Sequence, residues 1–283
     1  MAWCRKPVSP EHTPLVGFMA CPEADRFSSL RQLVTEQALQ GAPVQLVLPM
    51  DDYQVFQLER PEGIADSELA DALRWKLKDL IDYSPADAVC DVFEFPKDAS
   101  RGRGELVNLA VARKSLVAGY LELLDAAGLT LHSVNIAELA LGNLAAGLDT
   151  PNRSVALVYL SENHGQVVVC RGDTLYLSRR LDVALADLRD ASRQEVTVQS
   201  LALEVQRSLD YFESQLGQAP PRQLHLLSQD RVLPLAPMLS AYVALAVEPL
   251  DLLQYGLPRE VDLRCLLAWC EWPVVSPLTE EAH

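Results

Sequence analysis

Glycine-rich phosphate cradles are missing from this chain. It has no G-x-x-x-x-G-K-[ST] and no G-x-G-x-x-G run. It also has no G-x-S-x-G elbow and no H-E-x-x-H helix. The usual sequence signs of P-loop, Rossmann, serine-hydrolase and zinc-peptidase chemistry are thus all absent. Cys4, Cys21, Cys90, Cys170, Cys265 and Cys270 form no C-x-x-C pair, and no His stands at zinc spacing from them. Several of them lie in apolar runs, where cysteine acts as a small hydrophobe. Basic residues are scarce as well: 24 Lys and Arg face 39 Asp and Glu, a net charge of −15. Phosphate backbones and anionic lipid surfaces need clustered positive charge, so neither is an expected direct partner. A basic peptide is compatible with that charge. No apolar run approaches ~18 residues, so no transmembrane helix is expected, and the first residues carry no apolar core of signal-peptide length. These features point to a reduced, cytoplasmic protein.

What is present is a well-supplied core. Hydrophobic residues make up 49% of the 283 and charged residues 22%, which argues for one large or two ordinary ordered domains. The chain is organised around residues 154–181, which read as three short strands with turns at Asn163-His164-Gly165 and Arg171-Gly172-Asp173. A long helix is predicted over residues 194–216, where Val198, Leu201, Val205, Leu209, Phe212 and Leu216 recur at helical spacing. Strand, helix and strand follow near residues 223–227, 232–243 and 247–250. Before the meander, strands are predicted at 14–20, 43–48, 53–58, 89–95, 105–113 and 129–134. Helices are predicted at 26–40, 67–81, 115–127 and 137–146, and residues 147–152 read as a hinge. Residues 1–13 read as a loose, disordered lead-in.

The helix beginning near Ser67, taken as its N-cap, has one stripe of Leu69, Leu73, Leu77 and Leu80. At ~100° per residue, Trp75 falls on the opposite face with Glu68, Asp71, Lys78 and Asp82. Either a second neighbour covers Trp75, or it anchors a partner. His132 and His225 sit in apolar strands and read as hydrogen-bonded core residues, whereas His164 belongs to the meander turn; His12 and His283 lie near the ends. Asp51 and Asp52 read as a polar turn, with Mg²⁺ binding as the alternative. Arg101 and Arg103 read as solvated loop.

Two long phrases carry a resemblance: SELADALRWKLKDLIDYSPADAVCDVF in the first half and LALEVQRSLDYFESQLGQAP in the long helix. With VLPMDDYQVFQL, LVNLAVARKSLV, LLDAAGLTLHSVNIAELALGNL and LHLLSQD, they resemble PilM-like proteins of type IV pilus assembly, most closely the MshI branch. The resemblance runs in order from about residue 43 to residue 250. It implies a mixed α/β, actin-like fold of two lobes. The first lobe would comprise residues 14–50 with 130–150, carrying an inserted α+β subdomain at 51–129. The second would comprise 151–256, with 257–283 a tail packed on the body and mobile at its end. It further implies a cytoplasmic adaptor that binds the N-terminal tail of a PilN-like inner-membrane protein and couples the assembly platform to the pilus motors. Trp75 is the candidate partner-binding residue.

Members of the PilM type hold ATP and Mg²⁺ between the lobes on two Gly- and Ser-rich hairpin turns and a glycine-rich adenosine turn. Here the N-terminal D-I-G-S-S hairpin is not found, unless a start upstream of Met1 restores it. Tyr159-Leu160-Ser161 stands where a D-x-G is expected, and Leu227-Ser228-Gln229-Asp230 takes the place of the adenosine glycines. If nucleotide were retained, Ser161, His164, Gly165, Glu204 and Arg207 are the residues placed to meet it. The three departures point instead to a scaffold without cofactor, metal or catalysis, a pseudo-ATPase. An ATP-controlled switch is the second reading. An enzyme of the actin-like and sugar-kinase superfamily and a GspL-like secretion protein are further alternatives.

Overall fold

The computed structural model describes residues 1–5, 15–19, 21–102, 104–148, 153–230 and 232–255. The tail expected at 257–283, Arg103 and most of the hinge expected at 147–152 lie outside the described residues. By internal contacts the chain forms two compact units. One is built from residues 19–137, the other from 2–18, 138–214 and the residues from 218 on.

The second unit includes an antiparallel pair of short strands, β1 (Ala2–Arg5) and β2 (Leu15–Phe18), with Trp3 opposite Gly17. The Trp3 indole lies against Gly17 so closely that a Cβ there would meet it at 2.5 Å. Of the lead-in expected at 1–13, Ala2–Arg5 is therefore a paired strand, and residues 6–13 lie outside the described residues. Ala2, Trp3 and Cys4 make β1 apolar, but three residues are too short a run to mark a strand. Its pairing comes from a strand ten residues further along, which a local pattern does not show.

In the first unit, α1 (Arg26–Glu36) buries Leu30, Leu33 and Val34. It stops short of residue 40 because Ala38 takes a left-handed φ of 52°. β3 (Pro43–Val47) leads to β4 (Tyr53–Glu59), α2 (Asp66–Arg74), β5 (Ala88–Glu94), β6 (Leu106–Arg113), α3 (Lys114–Ala126) and β7 (Thr130–Asn135). β3 and β7 pair in parallel. β6 runs antiparallel between β4 and β5, so both β4 and β5 are sheet edges. α2 covers one face of this three-stranded sheet. Leu69, Leu73 and Leu77 pack there on Ala88, Val107, Leu109 and Val111, with Phe56, Leu58, Cys90 and Val92 at the margin. Alternation along β6 supplies Val107, Leu109 and Val111 to that one face.

The helix predicted over 67–81 differs at both ends. Its N-cap is Ala65, without a side-chain cap, and Asp66 and Glu68 complement the helix dipole in the first turn. After Arg74 the chain tightens into a 3₁₀ turn, Trp75–Asp79. Three residues per turn instead of 3.6 swings the following side chains round. Leu77 remains fully buried, but Leu80 leaves the stripe and is 43% exposed. His132 is exposed on β7, not in a core, because the two-stranded β3–β7 sheet leaves each of its strands an edge.

The second unit continues with α4 (Ala137–Ala146), β8 (Ser154–Leu160), β9 (Gly165–Arg171), β10 (Thr174–Leu181), α5 (Leu185–Arg189), α6 (Gln194–Ser214), β11 (Gln223–Ser228), α7 (Leu235–Ser240) and β12 (Ala246–Pro249). They make a sheet of order β10-β9-β8-β11-β12. The first three strands are the antiparallel meander, and β11 and β12 add to it in parallel. β8 and β9 are buried along nearly their whole length, which explains their continuous apolar runs. On α6, Val198, Leu201, Val205, Leu209 and Phe212 are buried, and Phe212 meets Tyr176 edge-on with centroids 6.0 Å apart. α4 groups with this unit: Glu138 accepts from Gln166 Nε2 at 3.3 Å, and Tyr255 donates to the Leu144 carbonyl at 2.6 Å. Among the described residues, no helix is long and apolar enough to cross a membrane.

Leu73 and Trp75 are two residues apart and opposite in burial, 0% and 70% exposed. Leu73→Ala should cost about 2–5 kcal/mol, seen as a lower urea midpoint. Trp75→Ala should shift stability by less than about 0.5 kcal/mol in the same measurement.

Candidate functional site

The register of the parallel strands sets the first site. β11 lies beside β8 with Leu227 opposite Tyr159 and Ser228 opposite Leu160, and β12 lies beside β11 with Pro249 opposite Leu226. The segments leaving all three strands therefore emerge at one edge of the sheet, where open α/β sheets place ligands.

At the turn after β8, the Ser161 amide donates to the His164 carbonyl at 2.8 Å, and the His164 amide donates to Ser161 Oγ at 3.1 Å. The carbonyls of Ser161 and Glu162 accept from the amides of Leu185 and Ala186, at the start of α5. Gly165 is needed for close packing, since a Cβ there would meet the Val183 carbonyl oxygen at 2.5 Å and Leu181 Cβ at 2.9 Å. The structure thus brings Ser161, His164 and Gly165 together and ties them to α5. Glu204 is half-buried on α6, where its Oε2 accepts from the Asp182 amide at 3.0 Å, in the segment that joins β10 to α5. Arg207 is exposed on α6.

The main electrostatic feature of this edge is a triad absent from the sequence-based candidates. Arg189, the last residue of α5, donates through Nη1 to both Glu162 oxygens at 2.6 and 2.5 Å and through Nε to Asp230 Oδ2 at 2.6 Å. One guanidinium therefore joins the turn after β8 to the loop after β11. Asp230 Oδ1 accepts from the amides of Val232 at 2.8 Å and Leu233 at 3.1 Å, and the Asp230 amide donates to Ser228 Oγ at 3.1 Å. The same loop is held to β8, because the Gln229 amide donates to the Leu160 carbonyl and its side chain to Tyr159 Oη. Burial pushes the Asp230 carboxyl up, but Arg189 and the two amides outweigh it and hold the group below the ordinary carboxylate value. Hydrogen bonds to Asp230 and Glu162 in turn raise Arg189. The partners lie 27 and 41 residues apart, so no spacing rule could pair them.

Beside this triad is a cleft of about 520 Å³, lined by Leu227, Ser228, Asp230, Leu233, Pro234, Leu250, Asp251 and Leu252 among others. It contains the Leu227–Asp230 segment that the resemblance places at the adenosine. His225, on β11, is half-buried; burial lowers its pKa while Glu248 opposes the shift.

The second site is on the three-stranded sheet of the first unit. Trp75 projects there from between buried Leu73 and Leu77, flanked by exposed Lys76 and Lys78 and by Leu80. Among the described residues no neighbour covers it. Arg113 lies over the Tyr83 ring at 4.2 Å; burial raises the Tyr83 pKa, and the Arg113 charge opposes the shift. Val89 is 41% exposed on edge strand β5.

No family model and no curated protein matches the chain. Solved structures do. The structure described as a PilM-PilN type IV pilus biogenesis complex is 20% identical with a TM-score of 0.70, over 91% of this chain and 89% of that one. The cytoplasmic domain of EpsL, an inner-membrane component of the type II secretion system of Vibrio cholerae, is 16% identical with a TM-score of 0.58, over 95% and 88%. The chain therefore has the mixed α/β, actin-like fold of these proteins.

Arg189→Ala should lower the stability of the second unit by at most about 1 kcal/mol at neutral pH, because the triad is partly solvent-screened. Asp230 has a depressed folded-state pKa, so its stabilisation is present above the unfolded carboxylate value, ~3.9, and is lost as pH falls through the folded value. The gap between wild type and variant in urea midpoints should accordingly close in acid.

Proposed function

We propose that this protein is a non-enzymatic adaptor of a type IV pilus machine, of the MSHA kind, working at the inner membrane through a PilN-like partner. The observation that carries the proposal is Trp75: a large aromatic, 70% exposed, on a backbone pinned by two buried leucines. Such a residue costs little entropy to bind and much area to leave uncovered. The fold shared with the PilM-PilN complex supports a PilN-like tail as the partner. Edge strands β4 and β5 offer unpaired backbone to an extended peptide, and Trp75 with Leu80 offers apolar contact beside it. The net charge of −15 favours a tail with Lys or Arg.

The state of the strand ends supports a framework without nucleotide. Ser161 and His164 bond each other, Gly165 is packed against chain, and Asp230 brings a carboxylate into the segment where the resemblance expects adenosine glycines, with Glu162 joined to it through Arg189. Phosphate there would face like charge. The second reading, an ATP-controlled switch using Ser161, His164, Gly165, Glu204 and Arg207, draws on the 520 Å³ cleft at the same edge.

Trp75→Ala should weaken binding of the PilN-like tail by about tenfold or more in a pull-down or titration, with unchanged thermal stability. Undiminished binding removes Trp75 from the interface. Titration calorimetry with Mg-ATP should give no heat of binding; micromolar affinity would instead establish the switch.

A further inference from the structure

We propose that the open edge of β5 takes an extended peptide segment in which a basic residue is flanked, two places to either side, by apolar ones. The inference rests on the adaptor reading and deepens it. It selects one of the two edges of the three-stranded sheet and names the side chains which that edge accepts.

Several other sheet edges carry devices against stray pairing. β10 has a register shift between Leu175 and Leu177 and two exposed arginines, Arg179 and Arg180. β12 is four residues long and ends in Pro249. β3 begins with Pro43 and shifts register after Val44. β4 is covered at its start, where Tyr53 is buried and its Oη accepts from the Ala137 amide at 3.0 Å. β5 has none of these. It runs for seven residues without Lys, Pro or Gly, in unbroken register with β6. Its Val92 amide donates to Asp91 Oδ1 of the same strand at 2.8 Å, a local bond that the carbonyl of an incoming strand can replace.

Alternation sets Val89, Asp91 and Phe93 on one face of β5. Val89 and Asp91 are exposed and Phe93 is half-buried. Cys90 and Val92 turn the other way, to the margin of the α2 core. No cation pairs with Asp91 among the described residues. The exposed face thus reads apolar, acidic, apolar at every second residue, and an added strand meets it best as apolar, basic, apolar. A second copy of this chain does not fit: pairing antiparallel so that Val89 meets Phe93 sets Asp91 against Asp91, and like charges directly opposite destabilise a strand pair. Both molecules would also carry −15. Asp91 therefore guards the edge against self-pairing and recruits a base to it.

The test uses fluorescence anisotropy on the full chain with labelled peptides built on Val-Thr-Lys-Thr-Val, on the same sequence with Glu for Lys, and on the Lys sequence with its backbone N-methylated. The Lys peptide should bind at least about tenfold more tightly than the Glu peptide, for charge, and than the methylated one, for lost strand pairing. Asp91→Lys should reverse the order of the Lys and Glu peptides. Asp91→Asn, which keeps an acceptor for the Val92 amide, should narrow their gap by about fivefold or more. Asp210→Lys, an equal charge change at an exposed position on α6, should leave the order as it was. Equal binding of the Lys and Glu peptides overturns the proposal. So does indifference to N-methylation, or an order that Asp91→Lys and Asp91→Asn leave unchanged. A PilN-like tail weakened by Trp75→Ala but not by Asp91→Lys keeps the adaptor and overturns β5 as its edge. A reversed order in Asp91→Lys, with no effect of Trp75→Ala, keeps β5 and removes Trp75.

Discussion

The parallel pairing of β11 onto β8 is the constraint from which the second unit follows. β8 is buried on both faces and paired on both edges, antiparallel to β9 and parallel to β11. A parallel neighbour starts at the same end, so a crossover must return the chain, and α6 is the long element within that crossover. Its twenty-one residues also cover the sheet through Val205, Leu209 and Phe212. Once β11 is in register, the turn at Ser161 and the loop at Asp230 are neighbours, and Arg189 can join them. The cleft opens at the same edge because β12 adds in parallel to β11. Strand order therefore decides the chemistry available there.

That edge is held by many small terms. The Arg189 triad is partly exposed, with side-chain exposures of 42% for Arg189, 55% for Glu162 and 12% for Asp230. Solvent screening keeps such pairs near the low end of ion-pair energies. Burial of β8, β9 and the α6 stripe contributes more, at about 1.5–3 kcal/mol for each fully buried aliphatic or aromatic side chain. The triad is better understood as a positional device. It fixes two turns against each other and satisfies carboxylates that would otherwise repel across a short gap. A costlier polar group lies deeper: Gln166 is 1% exposed and donates to Glu138 and Ser178, yet its Oε1 has no donor among the described residues. Leaving that oxygen unpaired opposes folding by about 1–3 kcal/mol, while the two bonds it accompanies join α4 and β10 to β9.

Periodicity made most elements legible. The heptad-like stripe of α6 and the apolar runs of β8 and β9 are local patterns, and burial follows them. Breakers were legible too, because Gly128 and Gly172 take positive φ where turns were expected. What escaped was non-local. β1 exists because β2 pairs with it, not because AWCR prefers a strand. Leu80 left its stripe when the helix tightened after Arg74, a change that no residue type there signals. At the candidate site, Ser161, His164 and Gly165 were readable as one turn. Arg189, Glu162 and Asp230 were not, since the fold alone brings them together.

The two units therefore answer different demands. At the strand ends of the second, polar groups are consumed internally: amide by hydroxyl at Ser161, carboxylate by guanidinium at Arg189, carboxylate by amide at Asp230. A site that must close on phosphate needs the opposite, donors left open and pre-aimed. On the three-stranded sheet of the first unit the balance is reversed. Two buried leucines, Leu73 and Leu77, hold a tryptophan out in solvent, beside strand edges with backbone groups to spare. Exposed apolar surface gains nothing from folding, and its burial would be favourable wherever it is covered. Internal satisfaction in one unit and exposure in the other is the physical contrast on which the adaptor proposal rests.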